Sequence, residues 1–237
     1  MGEVIEAWTP LPSDAGALPS EFAGPAADGT PHPLAAAAAK VLMQQLADPG
    51  LTGGVDFMVA GAGKMFGVLV VVDDRGRRGF LRGFSGMVGQ QWIVPGFVPP
   101  LFDARLLDTF WPRGEAEIGV MTRAIERLEG PAREQLVAKR RAHSAALWKQ
   151  IQATYRIADA SGRVRTNMEL FAPRIPPGGA GDCAGPKLLG AAYRHGLRPL
   201  ALAELWWGAT MAERTHCSFH APCEIKCGPI LAHMLGG

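Results

Sequence analysis

The sequence predicts an α/β protein in which a β-hairpin and one further buried strand form a sheet that carries helices. The hairpin is indicated by two apolar runs, Met65–Val72 and Gly79–Phe84, which a polar, glycine-containing turn separates. The further strand is the apolar run Pro199–Trp207. Just before it, Lys187–His195 has the pattern of a helix that ends at a glycine.

The remaining elements surround this sheet. Residues 1–33 are rich in proline, glycine and alanine, and we expect them to form an irregular, extended segment. Leu34–Leu46 is rich in alanine and is predicted to be helical. A helical insertion is expected at about 115–158, and a last helix begins near Cys223. We therefore predict one α/β domain over residues 34–237.

Composition and charge exclude several classes of protein. The 237 residues are 48% hydrophobic, which allows a sizeable core and excludes overall disorder. The formal charge of +2 argues against a heavily basic nucleic-acid binder. No apolar run has the eighteen or so residues of a membrane span, and the start lacks a signal-peptide pattern. We expect a cytoplasmic protein with reduced thiols and no membrane partner.

The four cysteines all lie between Cys183 and Cys227, which indicates a local site rather than a disulfide framework. Cys183 precedes a predicted helix, and Cys223 and Cys227 are one helical turn apart. A helix N-terminus favours the thiolate, which is the form that binds zinc. The spacing predicts that these three cysteines bind one zinc ion, Zn2+, whereas Cys217 is a bystander.

The fourth position of this zinc site stays open among His216, Cys217, His220 and water, and we take His216 as the first protein candidate. A fourth protein ligand would make a closed, structural site. Water in that position would make an open site that could be catalytic. Unmetallated, buried thiols are the simpler alternative.

Two motifs resemble those of the zinc-dependent nucleobase deaminases. They are Cys183-Ala184-Gly185-Pro186-Lys187, which is similar to the Cys-Ala-Glu-Pro-Lys version of bacterial toxin-type deaminases, and Pro222-Cys223-x-x-x-Cys227. The resemblance implies a three-layer α/β/α fold with a mixed sheet, in which the hairpin opens the fold and Pro199–Trp207 is the central strand. It also implies a zinc-held water that attacks a ring carbon while a glutamate carries protons.

The chain departs from this pattern at the catalytic position. Gly185 stands where the family has its glutamate, and the second motif has one extra residue between its cysteines. Glu204, on the central strand, is the first candidate to replace that glutamate, and Asp182 is the second. The structural alternatives are a strand-end charge for Glu204 and a helix cap for Asp182.

Substrate contacts are predicted for Trp206, Trp207 and Lys187, which adjoin the cysteines. A tryptophan could stack on a base. Neighbouring residues of a strand face opposite ways, so at most one of the two tryptophans can face the site. A thiol enzyme that uses Cys183 with His216 or His220 is a further possibility.

A second resemblance covers most of the chain, from about Pro33 to Leu235. It is to the N-terminal region attached to some bacterial pseudouridine synthases that modify ribosomal and transfer RNA. The synthase domain and its His-Arg-Leu-Asp motif are absent from this sequence. The matching stretches are Gly63–Val70, Gly79–Leu81, Phe84–Gly86, Pro99–Asp103, Gly181–Leu189, Ala203–Gly208 and Cys223–Cys227.

Together these features predict a zinc-dependent hydrolytic deaminase-like protein that acts on a nucleobase, a nucleoside or a related amino-heterocycle. The expected partner is a small-molecule or nucleotide substrate, and the second resemblance implies an RNA setting. The alternative is a non-catalytic, zinc-stabilised module that binds RNA or a protein, which Gly185 favours. The thiol enzyme is the third reading.

Overall fold

A computed structural model describes residues 6–12, 16–102 and 104–236, with side chains for all of these except 104 and 106–108. The predicted α/β class is confirmed, with six α-helices and a mostly antiparallel main sheet in the described ranges. The strands are β1 Trp8–Pro10, β2 Lys64–Val72, β3 Arg78–Phe84, β4 Ile157–Ala158, β5 Val164–Arg165, β6 Arg198–Trp207 and β7 Phe219–His220. The helices are α1 Pro33–Leu46, α2 Ala104–Ile125, α3 Gly130–Gln152, α4 Asn167–Phe171, α5 Ala184–Arg194 and α6 Gly228–Met234, with a 3-10 turn at Pro49–Thr52.

The main sheet has the strand order β1-β3-β2-β6-β7, and each pair of neighbours is antiparallel. The sequence predicts a mixed sheet. In the structure β3 and β6 do run the same way, but β2 lies between them, so the two strands do not pair. The one parallel contact at this sheet within the described ranges is an isolated bridge between Ala23 and Ala201.

The N-terminal segment contributes to this sheet. Strand β1 pairs with β3, where Trp8 lies opposite Leu81. Further on, the Ala23 N–H donates to the Leu200 carbonyl at 2.9 Å. The predicted extended segment at 1–33 therefore supplies an edge strand, although residues 1–5 and 13–15 lie outside the described part of the chain.

The two faces of the sheet are covered by different helices. Helix α1 packs on one face, where Phe66, Val68, Leu205 and Trp207 belong to its apolar cluster. Helix α5 packs on the other face and approaches the strands at glycines. A Cβ atom on Gly67, for example, would lie 3.0 Å from the Ala184 side chain. Larger residues at such positions would push α5 away from the sheet.

The chain divides into two compact units. The first comprises residues up to 101, 157–164 and 177 onward, and it contains the main sheet. The second comprises 102–156 and 165–176. The predicted helical insertion corresponds to α2 and α3, but α2 begins at Ala104 rather than near 115. Pro112 lies inside α2, so this proline is a false boundary signal in the sequence.

Among the helices that the structure describes, none is both long and apolar enough to cross a membrane.

Candidate functional site

Two of the four cysteines are in contact where two segments end at helix starts, and a third lies one turn before one of them along the chain. Cys183 is the N-cap residue of α5, and Cys227 is the N-cap residue of α6. Cys223 lies one turn before Cys227, whose N–H donates to the Cys223 carbonyl at 2.9 Å. The last helix therefore begins at Gly228 rather than at Cys223. We refer to Cys183, Cys223 and Cys227 as the cysteine cluster.

Direct contact exists within the cysteine cluster. Cys227 is buried, and its thiol is hydrogen-bonded to the thiol of Cys183. This hydrogen bond, burial, and the nearby charges of Cys183, Glu204 and Cys223 raise the pKa of the Cys227 thiol. Cys223 is exposed, and its sulfur accepts the Lys226 N–H at 3.4 Å. The cluster thus has a buried member, a half-buried member and an exposed member.

The cysteine cluster fits zinc by its chemistry, because thiolates are preferred zinc ligands. Its sulfurs come from two helix starts, and two of them are already in contact. Among the described residues, no group of three or more His, Cys, Asp or Glu side chains is arranged as a preformed metal site.

Glu204 lies on β6 with its carboxyl group buried against the start of α5. Its Oε1 atom accepts the Gly185 N–H at 2.9 Å. A Cβ atom built on Gly185 would lie 3.6 Å from that same oxygen. The Glu204 carboxyl thus lies at ordinary contact distance from the point where a side chain at position 185 would begin, and the Leu202 side chain lies nearer, at 3.3 Å.

Burial also changes the protonation of Glu204. Desolvation raises the pKa of its carboxyl to about 7, although the Gly185 N–H opposes this by favouring the charged form. A carboxyl group that titrates near neutral pH can both accept and donate a proton. The strand-end charge that the sequence left as an alternative is therefore a buried group near Cys227 of the cysteine cluster.

Asp182 and Lys187 flank Cys183 on the same helix start. Asp182 precedes the N-cap, and its backbone carbonyl accepts the Gly86 N–H at 2.8 Å. Lys187 is wholly buried, with its ammonium 3.4 Å from the Gly86 carbonyl oxygen and 4.1 Å from the centre of the Phe84 ring. Burial lowers the pKa of Lys187 to about 8, and the negative charges of Asp182 and Cys183 oppose this.

The two predicted stacking residues lie on opposite faces of the sheet. Trp207 belongs to the apolar cluster on the α1 face. Trp206 alternates with it and lies on the face of Glu204, where its Nε1 donates to the Ala209 carbonyl at 3.0 Å. It is 3% exposed, and the Arg214 guanidinium lies over its ring at 5.2 Å. Only Trp206 is therefore on the side of the cysteine cluster.

The structure does not bring His216 to the cysteine cluster. Its ring packs on Trp207 with ring centroids 4.4 Å apart, on the α1 side of the sheet. Its Nδ1 accepts the Gly208 N–H at 3.2 Å. These contacts hold the ring away from the face that carries Glu204.

His220 is the histidine on the Glu204 face. It lies directly opposite Glu204 in the pairing of β6 and β7, while its neighbour Phe219 packs toward the α1 side. Its Nε2 lies 2.8 Å from the Ser218 hydroxyl oxygen. That hydroxyl donates its proton to the Thr215 carbonyl at 2.6 Å, so His220 must donate its Nε2 proton to Ser218. Burial and Arg214 lower the pKa of His220.

The sequence names His220 only as an alternative, because a two-residue strand shows no alternation that assigns a face. The contact between Glu204 and Gly185 was open to prediction from the sequence, because alternation along β6 places Glu204 on the same face as Leu202 and Trp206.

Comparisons with protein-family models, with curated proteins and with solved structures return no match. The proposals below therefore rest on the geometry of this chain and on its motifs.

Proposed function

We propose that this chain is a zinc-dependent hydrolytic deaminase-like protein that acts on a nucleobase, a nucleoside or a related amino-heterocycle. The observation that carries the proposal is the position of Glu204. Its carboxyl group is hydrogen-bonded to the Gly185 N–H and lies against the Cα of that residue, near Cys227. In the resembling motif this is the position where the catalytic glutamate begins, so a carboxyl group is supplied from the neighbouring strand.

The arrangement of the elements supports the same reading. The β2–β3 hairpin and β6 are adjacent in the sheet, as the resemblance to the deaminases implies for the opening hairpin and the central strand. Cys183 and Cys227 are the N-cap residues of α5 and α6, so cysteines stand at two helix starts, as in the deaminase motifs. The deaminase-like fold itself is part of this proposal.

The cysteine cluster would hold the zinc ion, with Cys183, Cys223 and Cys227 as ligands. Bound there, zinc would supply a water acidic enough to attack a ring carbon. Glu204 would move protons, because its Oε1 is fixed by Gly185 and the structure gives Oε2 no partner among the described residues. A pKa of about 7 lets Glu204 take a proton from the water and return it to the leaving amine. The Trp206 ring would form one side of the substrate site.

Ammonia release tests this proposal. Purified protein is incubated with a panel of free bases, nucleosides, nucleotides and short oligonucleotides, and ammonia is measured. We expect release that falls at least about a hundredfold in Glu204→Gln and in Cys183→Ala. Glu213→Gln, which changes an exposed carboxylate on the loop after β6, is the matched control and should retain activity.

The same experiment separates the alternatives. Equal release by wild type and Glu204→Gln would contradict the deaminase mechanism. Zinc bound without any ammonia release would favour the non-catalytic module. Helix α3 carries the basic residues Lys139, Arg140, Arg141, His143 and Lys149, which could form an RNA-binding surface. That surface gains little support, because Arg140 donates to the Thr122 hydroxyl at 2.8 Å and His143 pairs with Glu117 at 3.0 Å within the chain.

A further inference from the structure

A groove with a volume of about 550 Å³ lies between helices α2 and α3. Its lining comes entirely from the second compact unit, whereas the cysteine cluster belongs to the first. Cavities that bind small molecules usually measure about 300 to 1,000 Å³ and are lined mainly by apolar and aromatic side chains with a few polar groups. The groove has both the size and the kind of lining that such a site requires.

Two glycines of α2 explain why the groove opens where it does. A Cβ atom on Gly114 would lie 2.7 Å from the Leu147 side chain, so the two helices approach closely at that point. A Cβ atom on Gly119 would meet only Arg123 of its own helix, at 3.4 Å, among the described residues. The space beside Gly119 is therefore left open, and a larger residue there would narrow the groove.

Two tryptophans line the groove, one from each helix. Trp111 and Trp148 are both partly exposed, so part of their aromatic surface faces solvent. The Trp148 Nε1 donates to the Pro176 carbonyl at 3.1 Å, which holds its indole in place. Tryptophan is the side chain that attracts organic cations most strongly through the face of its ring. The groove thus offers aromatic surface of the type that cations bind.

The charge of the lining agrees with a cationic ligand. Glu115 is exposed and lies one turn after Trp111, and no ion pair engages it among the described residues. Its neighbour Glu117, in contrast, pairs with Arg113 and with His143, each at 3.0 Å. The described lining of the groove contains no lysine, arginine or histidine, so its formal charge is negative.

We propose that this groove binds a small organic ammonium ion, whose carbon atoms pack on Trp111 and Trp148 and whose charge is balanced by Glu115. A bare metal cation fits less well, because Ca²⁺ and Mg²⁺ need several oxygen ligands and the groove offers one carboxylate and the Ser144 hydroxyl. The site is independent of the proposed function, since it uses none of the residues of the cysteine cluster.

Titration with choline, followed by tryptophan fluorescence, tests the proposal on the full chain. We expect a saturable change with a dissociation constant on the order of millimolar or tighter. The matched ligand is the uncharged carbon analogue of choline, in which a tert-butyl group replaces the trimethylammonium group. It has nearly the same shape without the charge, so it should bind at least about fivefold more weakly.

Variants separate the role of charge from that of shape. Glu115→Gln should weaken choline binding at least about threefold and leave binding of the uncharged analogue unchanged, because only choline carries a charge. Trp111→Leu should weaken both ligands, because it removes the ring on which they pack. Glu134→Gln, which changes an exposed carboxylate of α3 outside the groove, is the control and should bind choline like wild type.

Three results would overturn the proposal. They are a wild type that shows no saturable response to choline, equal affinities for choline and its analogue, and a Glu115→Gln variant that weakens both ligands alike. If a second copy of the chain fills the groove instead, the elution volume in size-exclusion chromatography will change with protein concentration and choline will have no effect. If Trp111→Leu does not fold, the comparison of Glu115→Gln with Glu134→Gln decides alone. None of these results affects the ammonia assay of the proposed function.

Discussion

Glu204 gives the sharpest stability prediction. Its carboxyl group is buried with one hydrogen bond, from Gly185, that favours its charged form. Replacing it with glutamine keeps an oxygen acceptor for that N–H and removes the group that must ionise. We predict that metal-free Glu204→Gln is more stable than wild type at alkaline pH and that the advantage disappears on acidification.

The magnitude follows from the pKa. Burial raises the pKa of Glu204 from 4.5 to about 7, and each unit corresponds to about 1.4 kcal/mol. Below pH 4.5 both states are protonated, so wild type bears no penalty. As the pH rises toward 7 the unfolded state ionises first, and wild type loses up to about 3 kcal/mol of stability. The glutamine variant does not show this loss.

Urea unfolding in the presence of a chelator, at about pH 5 and about pH 8, measures the effect. The difference in unfolding free energy between Glu204→Gln and wild type should grow by more than about 2 kcal/mol between the two values. Glu213→Gln, with its exposed carboxylate, should show no such growth. A difference for Glu204→Gln that is the same at both pH values would refute the account of Glu204 as a buried carboxyl with a raised pKa.

Three further predictions concern other features. Because the Glu204 carboxyl lies against Gly185, Glu204→Ala should abolish ammonia release and the double variant Glu204→Ala/Gly185→Glu should restore part of it. Absence of any recovery would contradict the idea that a carboxyl from position 185 can replace that of Glu204. Asp159 accepts hydrogen bonds from Ser161 and Arg163, which hold the pKa of its carboxyl well below the usual range. Asp159→Asn should therefore lower the unfolding temperature at pH 7, and this effect should disappear once the pH is low enough to protonate Asp159 in wild type. Because the thiols of Cys183 and Cys227 are in contact, hydrogen peroxide should oxidise them to a disulfide in metal-free protein, and bound zinc should prevent this reaction. Peptide mass spectrometry detects the disulfide. If zinc gives no protection, the two cysteines are not ligands of the same zinc ion.

Much of the main sheet could be predicted from the sequence because its strands are long and buried. The predicted hairpin strands and the strand Pro199–Trp207 differ from β2, β3 and β6 by a single residue at their starts. Their apolar runs are continuous because helices cover both faces. Strands β1 and β7 could not be predicted, because two or three residues do not establish a period.

The candidate site was predictable in part for the same kind of reason. Cysteines beside glycine, proline and helix signals indicate helix starts, and Cys183 is the N-cap residue of α5. The last helix, predicted to begin near Cys223, begins instead at Gly228, with Cys227 as its N-cap residue. Which histidine faces Glu204 depends on the path of the loop after β6. That loop turns His216 onto Trp207 and returns His220 to the edge of the sheet, a path set by tertiary contacts rather than by local sequence.

The zinc content of the purified protein tests the central claim most directly. Elemental analysis should find about one zinc per chain in wild type and in Cys217→Ala, and much less than one in Cys183→Ala and Cys227→Ala. Such a pattern would match a site made of the cysteine cluster. Wild-type protein without zinc after purification and after reconstitution, or full zinc content in Cys183→Ala, would contradict the account.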